Sequence, residues 1–335
     1  MDPISQGAIG AVVPQAAFSP EKLRAAALLG CLAGMAPDLD VFINSPTDPL
    51  LFLEYHRQFT HALVFIPVGA AIATLLLHWM VRRTLTLRES YLACLLGYAT
   101  HGFLDACTSY GTQLFWPFTD YRVAWNSVAV VDPSFTVPLL VLVIVAAVRR
   151  RRAYAVAGLI WALAYLGLGV VQNQRAEAAG TRLAASRGHE PQRLTAKASF
   201  ANLLVWKVVY EYDGRFYVDG VRTGAAVSIC PGASVARLDF SRDLPWLDPD
   251  TQQARDVERF RWFSDGYVAL DPAVPNRVID MRYSLVPNEI DPLWGIDLDP
   301  EAPVDRHVRF VTDRDMGVAQ RDALMRLLTG ATCGG

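Results

Sequence analysis

Five apolar stretches, at residues 23–37, 61–81, 91–107, 135–148 and 153–171, crowd the first half of the chain. Each is near the roughly 17–25 residues that carry a helix across a bilayer, some a little short. Backbone polar groups in hydrocarbon must be satisfied within the segment, so each stretch is read as a transmembrane helix. Composition agrees, since 52% hydrophobic and 19% charged residues, with mean hydropathy +0.22, make the 335-residue chain too apolar for an ordinary soluble domain. A net charge of −2 supplies no basic surface and excludes a nucleic-acid partner.

The basic residues orient the helices. Arg82, Arg83 and Arg88 fill one short connection and Arg149 to Arg152 run unbroken through another, so both are expected on the cytoplasmic side, as is the helix start near Lys22 and Arg24. The opposite ends of three helices then carry Asp38 and Asp40, His56 and His61, and His101 and Asp105 to one depth at the outer face. Residues 4–18, rich in Gly and Ala and interrupted by Pro14, fit either a short tilted span or a re-entrant segment. The count is therefore six spans or five. The start Met1-Asp2-Pro3, with no positive charge before Lys22, lacks the basic region of a signal peptide.

Past residue 171 the composition turns polar. Residues 172–197 read as a helical linker, and residues 198–335 as a separate soluble α+β domain on the extracytoplasmic side. Leu203 to Tyr212 and Arg215 to Val221 are expected strands about an Asp213-Gly214 turn. A second turn, Ser264-Asp265-Gly266, separates the apolar runs Phe260–Phe263 and Tyr267–Leu270. Val308 to Val311 reads as a strand and Ala319 to Leu328 as a closing amphipathic helix. The five cysteines show no CxxC spacing, which argues against a thiolate metal site, and Cys230 and Cys333 are candidates for pairing in an oxidising compartment.

Ionisable groups beside hydrocarbon are costly and call for a purpose. His101 and Asp105, four apart, share one helix face, a common way to present two ligands to one metal. His56 is expected on the preceding loop and His61 at the next helix start. Pro37 ends a helix, and the irregular turn beyond it lets Asp38 and Asp40 point into one site. Mixed imidazole and carboxylate donors suit zinc best, with manganese or iron as alternatives, and suit calcium poorly. The candidate ligands are thus His56, His61, His101, Asp105, Asp38 and Asp40. Asp38 or Asp40 is also a candidate general base, and Arg57 either pairs with a substrate anion or anchors lipid headgroups. Asp120 and Arg122 are expected at the rim, and Trp116, Tyr121 and Trp125 in an interfacial aromatic belt. His78 reads as interfacial with Trp79, and His189 and His307 as surface residues.

Three ordered motifs carry a family resemblance: Ala36-Pro37-Asp38-Leu39-Asp40, His56-Arg57-Gln58-Phe59-Thr60-His61-Ala62, and Leu96-Gly97-Tyr98-Ala99-Thr100-His101-Gly102-Phe103-Leu104-Asp105. With Thr108-Ser109-Tyr110-Gly111 and the Trp116-Pro117-Phe118 segment they resemble the YdjM-like inner-membrane family, described as membrane-bound metal-dependent hydrolases. The resemblance covers about residues 1–170. It departs near the amino terminus, where family members carry a histidine and this chain has Gln6, a poor metal ligand, and that weakens the case for a second metal ion.

The resemblance implies a divalent-metal site and a metal-activated water as nucleophile. Location at a membrane surface suggests an ester or phosphoester of an amphiphilic or lipid-linked substrate, with membrane lipid as the surroundings. No GxSxG elbow, HExxH pair or Gly-rich phosphate loop points elsewhere. Two rivals keep the metal without the catalysis. A transporter or sensor would spread ionisable groups over several depths, and a structural site would close its coordination shell.

Overall fold

Local capping chemistry sets where the apolar stretches begin and end as helices. In the computed structural model, which describes residues 1–330, the first half holds α1 (Pro3–Ala17), α2 (Leu23–Met35), α3 (Leu51–Tyr55), α4 (Ile66–Val81), α5 (Leu87–Ala106), α6 (Pro133–Arg149) and the start of α7 (Arg152–Ser186). Asp2 caps α1 by accepting from the amides of Ile4 and Ser5, with Pro3 in the first turn, and Asp132 caps α6 ahead of Pro133 in the same way. Thr86 and Glu89 form a reciprocal capping box on α5. α2 gives way at Ala36 to a tighter 3-10 segment, Ala36–Phe42, which contains Pro37.

Among the described residues, three helical stretches are long and apolar enough to cross a membrane: Leu23–Phe42, Leu63–Val81 and Arg152–Ser186. Helices also occupy the other apolar segments, but α1 has 15 residues and α6 has 17, short of a full crossing at about 1.5 Å per residue. α5 reaches 20 residues yet carries His101 and Asp105 within its apolar length.

The chain divides into two compact units. The first comprises Met1–Phe42, Tyr55–Val171 and Phe200–Asn202, and the second Ile43–Glu54, Gln172–Ser199 and Leu203–Gly335. In the first unit α2 packs between α1 and α5, α4 lies on α5, and α6 on α1. Small residues set that closeness. A Cβ at Gly30 would lie 2.2 Å from the Gly10 carbonyl oxygen, and one at Gly97 would lie 2.3 Å from that of Gly30, so α1, α2 and α5 meet backbone to backbone.

The second unit contains two antiparallel four-stranded sheets. One runs in the order β1 (Arg193–Ala198), β2 (Val205–Tyr212), β3 (Arg215–Thr223), β4 (Val227–Ala236). After α8 (Phe240–Asp243) and α9 (Gln252–Phe263) the other runs β5 (Val268–Leu270), β6 (Arg277–Asp280), β7 (Trp294–Asp297), β8 (Arg309–Thr312), and α10 (Val318–Thr329) follows. Val209, Phe216, Val218, Tyr267, Ala269, Ile279 and Met281 form a common core. Asp213 and Gly214 both take positive φ (49° and 66°), the geometry of a tight hairpin turn between β2 and β3.

The run Phe260–Phe263 before the second turn is the end of α9: Thr251 caps that helix, and Ala254, Val257, Phe260 and Phe263 recur at helical spacing on its buried face. The segment expected as a linker is helical to Ser186, with Gln172 and Asn173 buried against strand carbonyls, and then supplies β1. The pairing of Cys230 with Cys333 lies outside the described residues.

Candidate metal centre

Four side chains from three places in the sequence converge in the first unit. Asp38 comes from the 3-10 segment after α2, His61 from a short turn (Phe59–His61) ahead of α4, and His101 and Asp105 from one face of α5. Nε2 of His61 and Nε2 of His101 stand 2.9 Å apart. Asp38 Oδ1 is 3.6 Å from the first nitrogen and 3.4 Å from the second, and Asp105 Oδ2 is 3.2 and 3.5 Å from them. A tetrahedral site with bonds of about 2.0–2.1 Å has edges of about 3.3–3.4 Å, so these five separations suit a first-row divalent cation.

Hydrogen-bond partners aim the two rings. His101 Nδ1 lies 2.6 Å from the Gly34 carbonyl, an acceptor only, so in a neutral imidazole the Nε2 would carry the lone pair a metal needs. Thr60 Oγ1 donates to Asp40 Oδ2 at 2.8 Å and accepts from His61 Nδ1 at 2.9 Å. The same would then hold for Nε2 of a neutral His61. Asp105 Oδ2 is buried and has no hydrogen-bond donor, although it faces both imidazoles. These donor atoms crowd together at metal-ligand spacing, with the Arg57 guanidinium 3.1 Å from Asp105 Oδ2.

Asp40 occupies a supporting place in this geometry. Its Oδ1 bonds His56 Nδ1 at 2.7 Å, while Oδ2 accepts from the Arg57 amide at 3.0 Å and lies 3.2 Å from His61 Nδ1. A carboxylate behind an imidazole fixes its tautomer and raises its basicity toward a metal. Asp38, Asp40 and His56 also form a second group of closely placed donors that shares Asp38 with the first. His61, His101 and Asp105 side chains are fully buried, whereas that of Asp38 is 23% exposed and that of His56 19%. Access to the cluster is therefore from the Asp38 side.

Arg57 is shielded from solvent by the chain itself. It is buried, adopts φ +67°, places Nε 3.1 Å from Asp105 Oδ2, donates to Thr108 Oγ1 at 2.9 Å, and stacks on the Tyr110 ring at 4.7 Å. The left-handed backbone at a non-glycine residue costs about 1–2 kcal/mol and is held by bonds at both its amide and its carbonyl. Gln6 donates to Asp105 Oδ1 at 2.9 Å, so it touches the cluster through a ligand-side oxygen.

Thr60, Thr108 and the Gly34 carbonyl were not legible as site components, although the two threonines stand within or just after the motifs. Arg122 donates to the Gly111 carbonyl and faces Tyr110, while Asp120, Tyr121 and Trp125 are exposed. His78 bonds Ser90. His189 and His307 are not plain surface groups: the first bonds Tyr210 and stacks on Tyr212, the second bonds Asp256.

No solved structure matches the chain. Over 130 residues it is 26% identical to the uncharacterized protein YfhP of Bacillus subtilis (strain 168), a match covering 39% of this chain and 39% of that protein's length. The model of the YdjM inner membrane proteins matches residues 1–176, more than half of the chain and every residue of the cluster, and the chain belongs to the YdjM inner membrane protein family.

Proposed function

We propose that the protein is a membrane-bound, metal-dependent hydrolase acting on an ester or phosphoester of an amphiphilic substrate. The observation that carries this reading is the convergence of donor atoms from His61, His101, Asp105 and Asp38 at metal-ligand spacing, three of these residues buried. His61, His101, Asp105 and Asp38 would hold one divalent ion, zinc best, with manganese or iron as alternatives. Bound there, such an ion would supply Lewis-acid activation of a water nucleophile and of the bond to be cleaved.

The chain's own groups divide the remaining work. Asp40 holds His61 and His56 in their tautomers. Arg57 and Gln6 fix the Asp105 carboxylate, so Arg57 acts as a positioning residue. The reading places the protein in the inner membrane as a multi-pass bundle, with the cluster and the second unit on the extracytoplasmic side, as the distribution of Lys22, Arg24, Arg82, Arg83 and Arg149 to Arg152 favours.

A non-catalytic metal site is the second reading, favoured by the four protein donors, which suffice to close a tetrahedron. Metal content measured by mass spectrometry on the detergent-purified wild type, His101→Ala and Asp105→Ala, with turnover of generic ester and phosphoester substrates in the same samples, separates the two. About one ion per chain, lost together with turnover in both variants, supports the hydrolase. Stoichiometric metal without turnover supports a structural, sensing or transport role, and no metal after reconstitution removes both.

A further inference from the structure

An apolar groove of about 510 Å³ opens in the first unit beside the cluster, within the range of about 300–1,000 Å³ typical of small-molecule sites. Leu32 and Met35 of α2 form one wall and Ile72 and Leu76 of α4 the other. From Gly69 to Leu77 it follows α4 for about 12 Å at 1.5 Å per residue. Gly69 leaves room for the Tyr98 ring, since a Cβ there would lie 2.3 Å from Tyr98 Cζ, and the Tyr98 hydroxyl reaches over to donate to the Thr60 carbonyl at 2.8 Å.

One end of this groove is polar and belongs to the cluster. Thr60 lines it and donates to Asp40, and Leu39 lines it between the two carboxylate residues Asp38 and Asp40. The rest is hydrocarbon. Outward α4 residues such as Leu75, 77% exposed, and Trp79, 69% exposed, present an ordinary lipid-facing surface, while Leu76 and Leu39, 66% and 62% exposed, line the open side of the groove, which terminates one residue from proposed ligands.

We propose that this groove seats a single hydrocarbon chain of the substrate, a membrane-lipid ester or phosphoester whose head group lies at the metal cluster. The assignment rests on the hydrolase reading for its head-group end. Specificity then follows from shape: a long unbranched chain fills the space between α2 and α4, and a short-chain analogue leaves it unfilled. Ile72→Trp narrows the groove from a half-exposed position and touches none of the cluster.

The test uses the full-length, metal-loaded protein in detergent and dodecyl phosphate carrying a diazirine at the far end of its chain. Photolabelling followed by peptide mass spectrometry is expected to mark Leu32, Ile72 or Leu76. Unlabelled dodecyl phosphate, but not butyl phosphate, is expected to compete. Ile72→Trp, with metal content unchanged, excludes about two methylenes and is expected to weaken labelling about tenfold, whereas Leu75→Trp leaves it intact. Label spread over Leu75 and Trp79 without competition would identify bulk lipid and overturn the proposal. Turnover equal for butyl and dodecyl esters, unaffected by Ile72→Trp, would overturn it while leaving the hydrolase standing. Competed groove labelling in a protein without turnover would sustain the groove and remove the hydrolase.

Discussion

At the scale of single residues, the cluster separates donors from the groups that aim them. Asp40 touches both His56 and His61 yet stands behind the imidazoles, so its loss should loosen a metal without deleting a ligand. Asp40→Ala is expected to lower metal affinity about 10–100-fold in a competitive chelator titration, and unchanged affinity would show that Asp40 orients nothing. The structure brings together the six acids and histidines singled out from the sequence, which stand out there as ionisable groups against apolar helices. Sequence reading could not rank them, because Asp38 and Asp40 are equivalent in the string and differ only in which way the 3-10 segment turns them. The second unit offers a titration of its own. Lys207 in β2 is enclosed, its ammonium donating to Ser284 Oγ at 2.8 Å and to the Glu289 carbonyl at 2.9 Å, and burial pushes its pKa down to about 7. Lys197 is lowered to about 7 by the same cause. A lysine whose pKa is depressed on folding binds more protons unfolded than folded between about 7 and its ordinary value of about 10.4, so stability rises with pH across that window. Lys207→Met is expected to flatten this rise in thermal unfolding scans from neutral to alkaline pH; a slope equal to that of the wild type would mean the ammonium stays charged in the fold.

At the scale of elements, the metal centre depends on how closely helices approach. His101 lies one turn beyond Gly97 on α5, and its Nδ1 bonds the carbonyl of Gly34 on α2. Gly97 in turn sits on the Gly30 backbone, where an added Cβ would meet the carbonyl oxygen at 2.3 Å and the Cα at 2.6 Å. Backbone cannot yield as a flexible side chain does, so Gly97→Ala must separate α5 from α2 and stretch the bond that fixes the His101 tautomer. The expected result is a lower melting temperature together with substoichiometric metal, although no donor has changed; full metal occupancy in a destabilised variant would uncouple packing from the site. The helices themselves were legible from hydropathy and from caps such as Thr86 with Glu89. The strands read from the sequence mostly flank a turn, and Val308 to Val311, read without one, falls on β8. β4 carries Pro231 and Gly232, residues that weaken any strand pattern, and pairs with β3 through a register shift between Tyr217 and Asp219. Phe260–Phe263, named from the sequence only as the run before a turn, closes α9, whose capping Thr251 lies far upstream.

At the scale of the whole molecule, chain connectivity ties the second unit to the cluster's own loops. The segment Ile43–Glu54 belongs to the second unit, yet it is covalently bounded by the 3-10 segment that bears Asp38 and Asp40 and by the stretch that bears His56 and His61. Arg259 of α9 holds it there: Nη1 and Nη2 donate to the Asp48 carboxylate at 2.9 and 2.8 Å, Nε donates to Glu54, and Nη1 also reaches Asp256. Phe52 stands edge-on to Phe310 of β8 at 5.2 Å. No composition or periodicity could reveal this arrangement, because a loop of twelve residues with Pro46, Asp48 and Pro49 reads as an ordinary connection. Charge-assisted bonds of this kind contribute about 1.5–3 kcal/mol each when sheltered, and less here, where Asp48 and Glu54 are partly exposed. Removing the guanidinium should therefore release the segment without unfolding the sheets. Arg259→Ala is expected to speed hydrogen exchange across residues 43–54 while β1 to β8 keep their protection, and to weaken metal retention because the loops carrying Asp38, Asp40 and His56 lose their fixed ends. Faster exchange with unchanged metal retention would show that the 3-10 segment and α5 hold the donors unaided, and unchanged exchange would show that Phe52 and its apolar neighbours, not the ion pairs, secure the segment.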